Sequence, residues 1–381
     1  MANDLLNVGI VGLNAQRGWA KLAHVPALRA LLSDYAIMGV ANSRADSAAV
    51  AAEVLDIPRA FSNVAELVAS PEIDLVTVTV KTPHHHGIVK SALEAGKPVY
   101  CEWPLGNGLD EAEDLARLAA RAGIPTVIGL QACVAPAIQQ LLSLVEEGFV
   151  GKVLSTTMVG AGGPWGAVTG AADAYALDHR NGTTLLTISA GQALAALQYV
   201  LGELVDVRAI IAQRRDKSRI AETGLECPMT SPDQVLVIGH LESGIPLSLH
   251  LRGGMARDVG FSWEIHGTEG DLRLTAPMGQ IQLARLSLSG ARGSETSLHP
   301  IELLPHSASN WPTSPLSGNV ARLYAKAAAH FRGRGSAVPD FEHAVKLHRL
   351  LAAIEKAEET GRRMTRDPLG QWGAETTRTT V

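Results

Sequence analysis

The feature that most limits the fold of this chain is at its start, where a short apolar run at residues 7–13 turns at Gly12 and passes directly into a helical pattern over residues 16–32. The segment reads Gly9-Ile10-Val11-Gly12-Leu13-Asn14-Ala15-Gln16-Arg17-Gly18-Trp19. A buried strand that hands the chain through glycines to a helix start is the geometry of a phosphate-binding turn. Glycine lets backbone approach a ligand closely, and the first helical amides have no partner of their own. This copy is irregular: Asn14 stands at the second glycine position and the closing glycine comes one residue late, at Gly18. Asn tolerates left-handed backbone angles, so the turn stays feasible. Gly12, Asn14, Ala15, Gly18 and Trp19 are therefore the expected cofactor-binding residues of the loop. A tight strand–helix turn with no ligand is the competing reading.

The alternation continues. Strand patterns at 36–41, 75–80, 99–102 and 126–130 are separated by helical patterns at 45–55, 88–95 and 110–122. Strand and helix alternating at this period call for a parallel sheet covered on both faces. After Leu130 the texture changes. A helix at 136–148 precedes strand patterns at 152–159, 205–211, 233–241, 246–252, 260–266 and 271–274, interrupted by one apolar helix at 185–201. Helices return at 319–331 and 340–359, and the tail beyond Asp367 is polar and expected to be loosely held. The fold class is α/β: an N-terminal Rossmann dinucleotide-binding domain over 1–130, then a C-terminal α+β domain over 131–381 with a large, mostly antiparallel open sheet.

The 381 residues suffice for two such cores, and a net charge of −5 gives no footprint for nucleic acid or an anionic membrane. Cys101, Cys133 and Cys227 are too widely spaced for a disulfide framework or a zinc motif, which fits a reducing compartment. The first residues carry no signal-peptide pattern, and no apolar run approaches the roughly 20 residues of a spanning helix. A soluble cytoplasmic protein is expected. Consecutive His84-His85-His86 would diverge in a loop and lack a second ligand cluster, so no metal is expected.

About 20 residues past the loop, an NAD site ordinarily carries an Asp or Glu for the ribose hydroxyls. Here the chain reads Asn42-Ser43-Arg44. A hydroxyl and a guanidinium suit a 2′-phosphate, so NADP is favoured over NAD, with Ser43 and Arg44 as its ligands. Arg44 as a solvated helix-start residue is the bland alternative.

Three further runs are informative together: Ala92-Leu93-Glu94-Ala95-Gly96-Lys97-Pro98-Val99-Tyr100-Cys101-Glu102 into Pro104, His266-Gly267-Thr268-Glu269-Gly270-Asp271-Leu272, and Asp340-Phe341-Glu342-His343-Ala344. With the loop, they resemble the glucose–fructose oxidoreductase / inositol dehydrogenase (Gfo/Idh/MocA) family. A narrower likeness is to the branch containing the fungal galactose-pathway repressor, carried by Gly12–Ala20, Glu102-Trp103, Leu130-Gln131 and Asn181-Gly182. The resemblance implies reversible oxidation of a sugar or cyclitol hydroxyl with NAD(P), at a site where the two domains meet. It also implies homo-oligomers through the C-terminal sheet. It places Glu102, Gln131 and His85 at the cofactor, His85 under the nicotinamide end.

The likeness breaks at the acid–base residues. Hydride leaves carbon only as the hydroxyl loses a proton, so a base must lie within hydrogen-bond reach. Where the family has Lys between Glu and Pro, this chain has Trp103, which offers one donor and a stacking face. On the apolar helix, Gln192 and Ala195 stand where branch relatives carry His and Asp, and Thr187-Ile188 where the wider family has Asp. The surviving candidates are Tyr175, Asp178 and His179, with His179 as base oriented by Asp178. Equally, Asp178-His179 before Asn181-Gly182 could simply cap and turn the helix entry. Cys133 reads as a packed small residue, and Trp165 as a sugar-stacking or a packing residue. Three functions stay open: an NAD(P)-dependent oxidoreductase on a sugar-like or cyclic polyol substrate, a cofactor-sensing regulator acting through a protein partner, and a non-redox lyase or cyclase retaining bound cofactor.

Overall fold

The computed structural model describes residues 5–304, 311–335 and 337–375. The chain separates into two compact units, one of Met1–Val134 with Ser307–Val345 and one of Ala135–His306 with Lys346–Val381. This differs from the uninterrupted second domain read from the sequence, because residues 311–335 and 337–345 return to the first unit. The reason is burial: Val320, Leu323, Tyr324, Ala327 and Phe331 share one apolar cluster with Val8, Leu28 and Tyr35.

In the first unit, β1 (Leu6–Val11), β2 (Tyr35–Ala41), β3 (Arg59–Phe61), β4 (Leu75–Val78), β5 (Val99–Glu102) and β6 (Thr126–Gly129) form one parallel sheet in the order β3-β2-β1-β4-β5-β6. Strand order reverses between β1 and β4, and in such sheets the crevice outside the strand C-termini at this reversal takes the ligand. Helices α1 (Val25–Arg29), α2 (Ala45–Val54), α3 (Val64–Ala69), α4 (His85–Glu94) and α5 (Leu109–Ala122) connect the strands, and α8 (Pro315–Phe331) joins from the C-terminal part. The short β3–α3 pair was not expected from the sequence; Asn63 caps α3 by accepting from the Glu66 amide at 2.9 Å.

The helix expected over 16–32 is also different. A wide π turn, Ala20–His24, precedes a short α1 with Pro26 in its first turn. Proline has no N–H and its ring collides with the carbonyl four residues back, so the preceding turn widens rather than continuing as a regular helix. The widened turn carries His24 into the core, where it is fully buried.

In the second unit, α6 (Pro136–Glu146) and α7 (Gly191–Leu201) accompany a ten-stranded sheet. Its strands are β7 (Val153–Gly162), β9 (Leu204–Ala212), β12 (Gln234–Leu241), β13 (Pro246–Gly253), β14 (Phe261–Gly267), β15 (Gly270–Ala276), β16 (Ser287–Arg292), β17 (His299–Ile301), β18 (Met364–Arg366) and β19 (Trp372–Ala374). The order is β17-β16-β15-β14-β7-β13-β12-β9-β18-β19, antiparallel except where β13 pairs with β7. Strands β8 (Val168–Thr169), β10 (Lys217–Ile220) and β11 (Glu226–Pro228) make a separate small sheet. The tail read as loosely held supplies the edge strand β19, which pairs with β18; residues 376–381 lie outside the described residues. The last helix, α9 (Phe341–Thr360), precedes β18. Among the described residues no helix is long and apolar enough to cross a membrane.

Candidate functional site

The loop after β1 is built for close approach. Gly12 has φ +101°, and a Cβ there would sit 2.7 Å from Val80 Cγ1 and 3.0 Å from the Val80 amide. Only glycine takes both the angle and the contact. Asn14 organises the rest: its Oδ1 accepts from the Gln16 amide at 2.9 Å and the Arg17 amide at 3.1 Å. The amides of Asn14 and Ala15 have no hydrogen-bond acceptor among the described residues, which suits a loop that receives phosphate oxygens.

Beside the loop is a cavity of about 400 Å³ lined by Val11, Asn42, Ser43, Val80, Pro83 and His84, with Val64, Gly87 and Ile88. Val11, Asn42, Ser43 and Val80 stand at or just past the C-terminal ends of β1, β2 and β4, where an adenosine half-site belongs, and Val64 of α3 with Gly87 and Ile88 of α4 close the cavity. Asn42, at the position usually acidic, donates its side-chain amide to the Leu13 carbonyl at 2.9 Å and so ties β2 to the loop. Ser43 faces the cavity. Arg44 does not line it; its Nε donates to Asp46 Oδ1 at 3.1 Å, and both side chains are about 70% exposed (72% and 71%).

The three consecutive histidines diverge. His84 is exposed on the cavity wall and His86 pairs with Asp114 at 3.0 Å. His85 is buried, its Nδ1 2.7 Å from the Pro104 carbonyl and its Nε2 3.0 Å from the Val80 carbonyl. Burial pushes its pKa down, opposed by those two carbonyls. Its ring thereby holds the cis Trp103–Pro104 turn against the end of β4.

At the end of β5, Glu102 is held from two sides. Gln131 Nε2 lies 2.8 Å from each carboxylate oxygen, and His24 Nε2 lies 2.9 Å from Oε1. A Cβ on Gly129 would be 2.8 Å from the Glu102 carboxyl carbon, so the bare glycine on the neighbouring strand makes room for this carboxylate. Behind it, His24 Nδ1 is 2.9 Å from Tyr324 Oη, which is 3.0 Å from Thr77 Oγ1. His24, Tyr324 and Thr77 were not identified from the sequence. The readable signal was a histidine two residues before Pro26; nothing local pointed to Tyr324, 300 positions away. Trp103 is buried beside this group, 6% exposed. Cys133 is buried as well and burial pushes its thiol up to about 12, consistent with an inert packed side chain.

In the second unit, Asp178 does not orient His179. Its carboxylate grips Arg180, with Nη2 at 2.6 Å from Oδ2, and accepts the Arg180 amide at 3.1 Å. That side chain and amide hold its pKa at about 2. His179 is exposed and paired instead with Thr230 Oγ1, 3.0 Å from Nδ1. The capping alternative thus describes Asp178, which caps the turn His179–Asn181. Asn181 Nδ2 donates to the Tyr175 carbonyl at 2.6 Å, and burial raises the Tyr175 hydroxyl pKa. Trp165 is buried, its indole N–H donating to the Ala176 carbonyl at 3.0 Å, so it packs rather than offering a stacking face. Gln192 is buried on α7. Thr187, where an acid was expected from the resemblance, forms a reciprocal cap with Thr184: Thr187 Oγ1 accepts the Thr184 amide at 2.8 Å and Thr184 Oγ1 the Thr187 amide at 3.2 Å.

Residues 6–129 match the oxidoreductase family with an NAD-binding Rossmann fold (GFO_IDH_MocA), and residues 136–276 match the C-terminal domain of Gal80p. The chain is 26% identical to the galactose/lactose metabolism regulatory protein GAL80 of Saccharomyces cerevisiae, over 93% of each chain. It is 28% identical to the dehydrogenase aclE of Aspergillus oryzae, over 71% of this chain and 77% of that protein. A crystal structure of a super-repressor mutant of Saccharomyces cerevisiae Gal80p superposes with a TM-score of 0.87 at 26% identity, covering 97% of this chain and 99% of that one.

Proposed function

From membership of the Gfo/Idh/MocA oxidoreductase family, in a branch with a Gal80p-like C-terminal domain, we propose that this chain binds a nicotinamide dinucleotide and oxidises or reduces a secondary hydroxyl or keto group of a sugar-like or cyclic polyol substrate. The observation that carries the reading is the edge of the parallel sheet. The Gly12–Gly18 loop, the cavity at Asn42 and Ser43, and the clamped Glu102 all stand at the C-terminal strand ends. Nicotinamide, when bound, supplies the hydride acceptor or donor. The chain must supply the base, since Trp103 cannot. We assign that part to His179, whose Nδ1 is held by Thr230. His179→Ala then lowers kcat by about 10²-fold or more with an unchanged cofactor affinity. The direct experiment is nicotinamide absorbance with each cofactor against sugars, cyclitols and less polar secondary alcohols; substrate-dependent reduction supports the reading, and absence of reduction across the panel weighs against it.

NADP is the favoured cofactor because no acid stands at Asn42-Ser43-Arg44 and the exposed Arg44–Asp46 pair is weak enough to exchange for a 2′-phosphate. Arg44→Ala should cost roughly tenfold in NADP affinity and leave NAD unchanged; equal affinities before and after remove Arg44 from the site.

A second reading, a cofactor-sensing regulator without turnover, is favoured by the residues themselves: Trp103, Gln192 and Ala195 do not titrate, and the resemblance implies titratable groups at those three positions. The similarity to GAL80 over nearly the full length points the same way. In either case we propose a homo-oligomer formed through the ten-stranded sheet. Register places Ile210, Leu236, Ile238 and Val159 on its uncovered face, with Ile210, Ile238 and Val159 more than half exposed.

A further inference from the structure

We propose that His84 is the ring on which the adenine base of the dinucleotide stacks. The inference rests on the dinucleotide-binding reading, since the cavity of about 400 Å³ beside the loop is an adenosine half-site only if that reading holds.

The cavity wall is mostly aliphatic. Val11, Val64, Val80, Pro83 and Ile88 offer carbon surface, and Gly87 in the first turn of α4 carries no side chain. Such a slot suits a flat heterocycle, which gains by taking its faces out of water. The polar groups in the wall are few: Asn42, Ser43 and His84. Asn42 is committed, its side-chain amide donating to the Leu13 carbonyl at 2.9 Å. Ser43 stands just past the end of β2, where the adenosine ribose belongs. That leaves His84 for the base. Its ring is the one aromatic surface among the described lining residues, and its side chain has no hydrogen-bond or ion-pair partner among the described residues.

The backbone fixes where this ring stands before any ligand arrives. Beyond β4 the chain tightens into a single 3₁₀ turn, Thr82–His84, closed by the His84 amide donating to the Lys81 carbonyl at 2.9 Å. Thr82 before it and His85 after it are both buried. The ring nitrogens of His85 lie 2.7 Å and 3.0 Å from the Pro104 and Val80 carbonyls, so the start of α4 is anchored inward directly beside His84. A turn pinned on both sides presents an exposed imidazole to the cavity at small cost in backbone order on binding. The three consecutive histidines thus divide their work: His85 anchors, His86 pairs with Asp114, and His84 faces the ligand. Stacking uses the face of the ring and not its nitrogens, and one base on one aromatic side chain contributes about tenfold or more in affinity.

The test is calorimetry of the preferred cofactor, NAD or NADP, on the full-length protein. His84→Ala removes the face and should weaken binding by about tenfold. His84→Phe keeps a face and removes both nitrogens, and should hold affinity within about threefold of the parent protein. The melting temperature of ligand-free His84→Ala should match that of the parent, because an exposed side chain without partners carries little stability. An affinity unchanged in His84→Ala overturns the proposal. So does a loss in His84→Phe as large as in His84→Ala, which would make the nitrogens the ligands, of the base edge or of a 2′-phosphate. A lowered melting temperature accompanying the loss in His84→Ala marks a structural role and overturns it as well. In each of these cases the dinucleotide reading stands; if the parent protein binds neither NAD nor NADP, that reading fails and takes this proposal with it.

Discussion

Gly129 and His24 show how much of the site depends on single atoms. Gly129→Ala would place a methyl 2.8 Å from the Glu102 carboxyl carbon and both its oxygens, so the carboxylate must give way. We expect this variant to fold and to bind the dinucleotide more weakly, as read by calorimetry, because the carboxylate must leave its Gln131 and His24 contacts. His24→Ala removes a partner from both Glu102 and Tyr324 in a fully buried position. It should cost about 3 kcal/mol in urea unfolding; a loss under about 1 kcal/mol would mean that water replaces the ring. His348, on α9, gives a pH effect with a definite sign. Burial lowers its pKa to about 3, so the folded protein refuses a proton that the unfolded chain accepts below its ordinary value of 6.5. Stability is therefore full above that value and falls as pH drops towards 3, by at most about 1.4 kcal/mol per pH unit from this group. His348→Leu should flatten the acid limb of the stability profile over that window.

The elements were legible in proportion to how local their causes are. Strand β5 ends at Glu102 as read, because four residues closed by a turn leave no other register. Strands β12 and β13 were placed within a residue for the same reason: alternation with one covered face resists slippage. The π turns at Ala20–His24 and Leu185–Ala190 were not read, since their apolar spacing looks like that of an ordinary helix. Pro26 is the visible cause of the first. The second begins with the Thr184–Thr187 reciprocal cap, a spacing that could have been read from the sequence. Thr187→Ala should cost about 1 kcal/mol by removing it, measured by thermal or urea unfolding; a loss indistinguishable from zero would show that the Thr187 contact to the Gly182 carbonyl is also dispensable.

At the scale of the molecule two predictions separate. Cofactor at 100 times its dissociation constant should stabilise the protein by about 2.7 kcal/mol and raise its melting temperature; no shift with either NADP or NAD would remove the dinucleotide reading. The uncovered sheet face should hold copies of the chain together. Ile210→Asp with Ile238→Asp should convert the oligomer to monomer by light scattering without loss of fold, and a monomeric parent protein would end that proposal.

The parallel first sheet and the glycine turn at Gly12 were legible in the residues alone. Both are consequences of residue order within a few positions, where steric limits on the backbone and burial on one or two faces leave little freedom. Tertiary packing alone sets the return of residues 311–335 and 337–345 to the first unit and the backing of His24 by Tyr324. Those outcomes turn on which buried donors and acceptors find partners far along the chain. Partner choice is a property of the packed interior, where an unsatisfied group costs more than any local preference can offset.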